Sequence, residues 1–79
     1  MDANVSQADI LVVDDDPDIR QALQTRLKAS GYDVHCAANG AGAITEARKQ
    51  RPDLIVLDLG IPDDLISQVR GVHIIAFVY

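Results

Sequence analysis

Four aspartates carry most of the chemistry this sequence can do. Asp14, Asp15 and Asp16 directly follow the apolar run Ile10 to Val13, and Asp58 directly follows a second run, Leu54 to Leu57. Each run is short and continuous, the pattern of a strand covered on both faces. The acids therefore sit at strand carboxyl ends, the edge of an open α/β sheet where loops enclose a crevice and ligands collect. If the two strands are parallel neighbours, Asp14, Asp15 and Asp58 meet at one edge. Carboxylates that close oppose one another's ionisation unless a cation offsets the repulsion, so the pattern asks for a divalent metal. The plainer reading is that Asp16 caps a helix and Asp58 merely ends a strand. It suffices for Asp16, but three acids at one edge cost stability and need a compensating role.

The elements that would position these acids alternate between strand and helix. After strand one, Asp16-Pro17 supplies a carboxylate N-cap with proline at the first helical position. Ile19, Leu23 and Leu27 then recur at four-residue spacing, with Ala22 on the same face, and Gly31 stops the helix. Tyr32 to Ala37 reads as strand two, with Val34 and Cys36 on one face and His35 on the other. Asn39-Gly40 reads as cap and turn before a second helix, Ala41 to Gln50, whose apolar stripe is Ala43, Ile44 and Ala47. Arg48, Lys49 and Arg51 suit its carboxyl end, and Pro52 stops it before strand three. Asp63 to Arg70 has the residues for two helical turns, with Leu65, Ile66 and Val69 apolar, and Val72 to Tyr79 is a β-prone final run. This order predicts a parallel sheet with right-handed crossovers.

Composition bounds the function classes. A chain of 79 residues suits one small domain, and at that size only about 60% of the unfolded surface is buried, so stability is thin. Residues 1–8 read as a loose polar lead and residues 9–79 as the domain. No apolar run approaches the roughly 18 residues of a membrane helix, and the N-terminus lacks the basic start and apolar core of a secretory signal. The expectation is a cytoplasmic protein that binds no membrane. Cys36 is the only cysteine, which excludes an internal disulfide and a cysteine-based zinc cluster. A formal charge of −5 argues against this segment gripping nucleic acid through its phosphates.

Other motifs fall to ordinary readings. Asp14, Asp16 and Asp18 have the alternate spacing of a calcium loop, but Ile19 and Thr25 occupy its glycine and glutamate positions. Asp14-x-Asp16 after a strand is shared with haloacid dehalogenase phosphatases, but Asp18 stands where those carry threonine or valine, and there is no room for their remaining motifs. Gly40-Ala-Gly42 resembles part of a dinucleotide fingerprint, yet Thr45 takes the third glycine position, and Gly40 reads as a turn residue. His35, Cys36 and His73 are spread over two strands and read as strand residues rather than metal ligands.

Four segments together carry a specific family resemblance. Residues 10–20 (Ile-Leu-Val-Val-Asp-Asp-Asp-Pro-Asp-Ile-Arg), 31–34 (Gly-Tyr-Asp-Val), 38–40 (Ala-Asn-Gly) and 51–63 (Arg-Pro-Asp-Leu-Ile-Val-Leu-Asp-Leu-Gly-Ile-Pro-Asp) resemble the first half of a response regulator receiver domain. The resemblance implies the flavodoxin-like α/β fold with strand order 2-1-3-4. It also implies Asp58 as the phosphoacceptor of a two-component system, taking its phosphoryl group from a sensor histidine kinase or phosphotransfer protein. Asp14 with Asp15 would organise Mg²⁺, with Asp15 and Asp58 touching it directly beside the Gly60 carbonyl. Such a domain is no enzyme in its own right, catalysing at most its own phosphorylation and dephosphorylation. The chemistry is coherent, since phosphoryl transfer needs an exposed carboxylate nucleophile and a cation to offset charge.

The second half departs from the family. Aligning Ile74 to Phe77 with the fourth strand puts Val78 where receivers carry Ser or Thr, no lysine follows Lys49, and the fifth strand and last helices have no counterpart. Two donors to the phosphoryl oxygens are then missing, along with the hydroxyl movement that signals phosphorylation. In the final run, Val72, Ile74, Ala76 and Val78 alternate with Ile75, Phe77 and Tyr79, so both faces are apolar. Such an edge recruits another chain, and the expectation is a homodimer through Val72 to Tyr79. Two functions follow: a minimal phosphoacceptor, or a degenerate receiver serving as a dimerisation or docking module.

Overall fold

The computed structural model describes residues 8–58, 60 and 72–77. They form β1 (Asp9–Val13), α1 (Pro17–Ala29), β2 (Asp33–Ala37), α2 (Gly40–Gln50), β3 (Leu54–Asp58) and β4 (His73–Phe77). The strands make one parallel sheet in the order β2-β1-β3-β4, as the alternation of elements and the family resemblance imply. The helix expected over Asp63 to Arg70 lies outside the described residues, as do Gly71, Val78 and Tyr79.

Period-2 alternation along β1 divides the core in two. Leu11 and Val13 face one side with Ala37, Ile55 and Leu57, and α2 covers them through Ala43 and Ala47. Ile10 and Val12 face the other side with Val34, and α1 leans on them through Leu23 and Leu27. β1 is thus buried on both faces, the condition its unbroken apolar run anticipates. β3 is not. Ile55 and Leu57 are buried, while Leu54 and Val56, on the α1 side, are only half-buried. α1 packs on β1 and β2 and does not extend over β3.

Ala22 differs from its expected place, being exposed on α1. It lies about 100° of helix rotation behind Leu23, off the stripe that Ile19, Leu23 and Leu27 define. Gly40 is also not a turn residue; it is buried as the first residue of α2, with the cap one position earlier. There the Asn39 side chain accepts the Gly42 N–H at 2.7 Å.

Both ends of α1 follow local rules. The Asp16 carboxylate accepts the N–H groups of Asp18 and Ile19, and Pro17 takes the first position, where no donor is needed. At the other end Ser30 caps the helix, the Gly31 N–H donates to Lys28 O at 3.0 Å and the Tyr32 N–H to Leu27 O at 3.2 Å. That paired closure requires a left-handed residue between cap and strand, and Gly31 supplies it with φ +98°. The opposite, amino edge of the sheet is tied by its own hydrogen bonds. Asp9 N–H donates to Asp53 Oδ2 at 2.8 Å, Asp53 N–H to Asp9 O at 2.8 Å, and Asp33 N–H to Ala8 O at 3.1 Å.

A Cβ at Gly31 would meet no atom within 4 Å, so the cost of a side chain there is conformational alone. Gly31→Ala is expected to lower unfolding stability by about 1–2 kcal/mol, the penalty of a left-handed L-residue, read as a lower urea midpoint at unchanged slope. An unchanged midpoint would show that α1 closes without a left-handed residue.

Candidate functional site

The register of the central strands assembles the site. Val13 pairs with Leu57, so the next residues, Asp14 and Asp58, emerge side by side at the carboxyl edge of the sheet. Asp15 stands exposed in the short connection between β1 and α1. Asp14, Asp15 and Asp58 each offer a carboxylate oxygen, and those three atoms lie within 4.8 Å of one another. The acids expected to converge from sequence are therefore together. Asp16 is apart from them in role, its carboxylate engaged by the first turn of α1. Among the described residues, no such grouping includes His35, Cys36 or His73.

Asp14 is the most constrained of the three. It is 1% exposed, the one charged side chain among the buried residues described. Its N–H donates to Ala37 O at 3.1 Å, and its Oδ1 accepts the Asp16 N–H at 2.9 Å. Oδ2 is buried with no hydrogen-bond partner. Burial pushes the Asp14 carboxyl above its ordinary pKa; the Asp16 N–H opposes that shift, and the charges of Asp58, Asp15 and Asp16 add to it. Gly60 lies beyond Asp58, and its N–H donates to Asp58 Oδ1 at 3.1 Å. A Cβ at that position would lie 3.6 Å from Oδ2, so glycine keeps that flank of the carboxylate open.

This donor set fits a hard divalent cation. The three acids provide oxygen ligands only, which suit Mg²⁺ better than a soft metal, and the orphaned Asp14 Oδ2 is a buried anionic atom whose cost a nearby cation would offset. One contributor escapes sequence reading. Arg20, in the first turns of α1, donates from Nη1 to the Asp14 backbone carbonyl at 2.7 Å. Its only signal in the sequence is a cation one helical turn after the acidic run.

The response regulator receiver domain family matches residues 10–76. The chain belongs to that family. Its similarity to known receivers is substantial in both sequence and backbone. It is 44% identical over 66 residues to the transcriptional regulatory protein KdpE of Mycobacterium tuberculosis, covering 78% of this chain and 29% of that protein. It is 47% identical over 62 residues to the transcriptional regulatory protein PrrA of Mycobacterium leprae, covering 78% and 27%. Among solved structures, it matches the chemotaxis response regulator CheY4 of Vibrio cholerae at 36% identity and TM-score 0.75, covering 82% of this chain and 57% of that one. It matches the response regulator TrrA of Thermotoga maritima, solved in complex with Mg²⁺ and BeF, at 32% identity and TM-score 0.79, covering 90% and 69%. The chain thus spans under a third of these transcriptional regulators. The described receiver fold is the flavodoxin-like parallel sheet of its relatives, and no described helix is long and apolar enough to cross a membrane.

The raised Asp14 pKa has a defined consequence for stability. Between the ordinary aspartate pKa and the higher folded value, the unfolded chain releases this proton while the folded chain keeps it. Asp14 therefore subtracts stability as pH rises through that window. In metal-free protein, Asp14→Asn is expected to be more stable than the parent near neutral pH, with the difference vanishing in acid. Urea unfolding with chelator across pH 3–8, about the range of carboxylate titration, measures this; a pH-independent difference between the two proteins would remove the burial cost from the account.

Proposed function

We propose that this receiver is a phosphoacceptor in two-component signalling, with Asp58 receiving the phosphoryl group and Asp14, Asp15, Asp58 and the Gly60 carbonyl holding Mg²⁺. The observation that carries the reading is the convergence of three carboxylate oxygens within 4.8 Å, one residue of the trio buried with an unpartnered oxygen. A structural alternative must explain why a carboxylate is buried at the end of the central strand with one oxygen lacking a hydrogen-bond partner. The proposed function supplies that reason. The relative solved with Mg²⁺ and BeF lends support by its shared fold and sequence.

The chemistry follows from the positions of this chain's own groups. Asp58 is half-buried at a strand end, with one oxygen held by the Gly60 N–H, so its carboxylate is oriented before a donor arrives. A carboxylate oxygen of Asp58 forms a bond to phosphorus as the phosphorus–nitrogen bond of a phosphohistidine breaks. The imidazole leaves with the electron pair and regains a proton from solvent. A bound Mg²⁺ would supply positive charge to the oxygens of the transferring group. Asp14 and Asp15 contribute by holding that charge at the sheet edge, Asp14 from a buried position and Asp15 from an exposed one. The partner is a sensor histidine kinase or a phosphotransfer protein, met in the cytoplasm.

A second reading, a docking or dimerisation module, draws on β4. This edge strand among the described residues exposes Ile74 at 40% and Ile75 at 54%, and a homodimer through the Val72 to Tyr79 run, of which β4 is the described part, would cover them. The two readings are separable.

Intact-mass spectrometry after incubation with Mg²⁺ and a small phosphodonor is expected to show one phosphoryl adduct in the parent and none in Asp58→Asn. No adduct from folded parent would move the assignment to the docking reading. For that reading, light scattering at micromolar concentration is expected to give a dimer in the parent and a monomer in Ile75→Lys, with the same circular dichroism. A monomeric parent would remove the β4 interface.

A further inference from the structure

The polar groups of Asp14 divide into two sets. Its backbone is held on both sides: the N–H by Ala37 O of β2 at 3.1 Å, and the carbonyl by Arg20 Nη1 at 2.7 Å. Its side chain is held at one oxygen by Asp16 N–H. The Arg20 contact differs in kind from the others because it is charge-assisted and partly buried, which shortens and strengthens it. Its geometry is a product of the helix start. Arg20 N–H donates to Asp16 O at 3.0 Å in the first turn of α1, and helical side chains lean toward the amino end, so the guanidinium reaches back over the β1–α1 connection.

The held carbonyl belongs to the peptide that joins Asp14 to Asp15. A peptide unit is planar, so fixing its oxygen fixes the direction in which the chain leaves for Asp15 Cα. Asp15 is exposed and lies in neither strand nor helix, and so lacks the sheet pairing that places Asp14 and Asp58. The guanidinium also places a positive charge against the Asp14 carbonyl. Its field extends to β2, where Arg20 and Lys28 oppose the upward pull of burial on the Cys36 thiol.

We infer that Arg20 is a positioning residue for the carboxylate site: its clamp on the Asp14 carbonyl fixes the Asp14–Asp15 peptide and keeps Asp15 beside Asp58 for cation binding. The inference rests on the proposed Mg²⁺ reading of that site. Arg20 touches neither cation nor phosphoryl donor; it acts through the backbone of its neighbour. Arg20→Gln removes both the charge and the fork, whereas Arg20→Lys keeps the charge and a donor on a shorter reach.

The test is calorimetric titration of Mg²⁺ into the full chain as parent, Arg20→Gln, Arg20→Lys and Arg26→Gln, each checked for fold by circular dichroism. Arg26 lies in the last turn of the same helix, so its variant changes net charge equally away from the acids. The expected result is affinity about 10–100-fold weaker in Arg20→Gln, the usual loss on removing an outer support of a metal site. Partial recovery is expected in Arg20→Lys and parental affinity in Arg26→Gln. Parental affinity in folded Arg20→Gln would overturn the assignment while leaving the Mg²⁺ site intact, and equal weakening in Arg26→Gln would reduce it to net charge. If Arg20→Gln does not fold, Arg20→Met, which also removes the charge and the donors while keeping the aliphatic stem, takes its place, and parental affinity in that folded variant overturns the positioning role in the same way. A folded parent that binds no Mg²⁺ would overturn the cation reading itself, and the Arg20 role with it.

Discussion

A carboxylate buried at the end of the central strand is the constraint around which this domain is arranged. Asp14, the residue that follows β1, is a charged side chain in a buried position, held by three hydrogen bonds. Parallel pairing on both sides of β1 leaves no freedom to turn it into solvent, since a slip of one residue would exchange the Leu11/Val13 set with the Ile10/Val12 set and misfit both halves of the core. The apolar core and the acid site are therefore not independent. The same register that buries ten of the described hydrophobic residues places three carboxylates together.

That coupling shapes how the stabilising and functional parts divide along the strands. At the amino edge, Asp9, Asp53, Ala8 and Asp33 exchange hydrogen bonds, the Asp53 carboxylate accepting from the Asp9 N–H and the remaining bonds running between backbone groups. At the carboxyl edge, the acids crowd and one oxygen goes without a donor. A sheet tied at one end and electrostatically loaded at the other concentrates its unfavourable energy at the carboxyl edge, the arrangement from which functional sites are commonly built. Cys36 sits on the α1 side of this sheet, half-buried as a single thiol with no partner for a disulfide.

Most of the architecture was legible in the sequence because its signals are local. Apolar runs bounded by Pro52 or by acids mark strands, and Asp16-Pro17 and Asn39 mark helix starts within one residue. The convergence of Asp14, Asp15 and Asp58 was legible too, because parallel neighbours bring equivalent strand ends together. What escaped depends on tertiary placement. Ala22 belongs to the apolar set by type, but α1 rolls onto Leu23 and Leu27 and leaves it exposed. β3 reads as doubly covered, yet α1 stops short of it. Arg20 was invisible as a site residue because a single cation at a helix surface is ordinary until its reach to a carbonyl is seen.

The position of β1 in the sheet has a further meaning during synthesis. The earliest made of the described strands is an inner strand of the sheet, and one of its partners, β3, arrives only after α1, β2 and α2 have left the ribosome. The bond between Asp9 and Asp53 spans 44 residues, so β1 waits unpaired on that side while the intervening chain is translated. Asp58, the last member of the acid trio, ends that late strand. The nascent chain can thus bury Asp14 against β2 before the rest of its site exists, and the trio closes only when β3 docks.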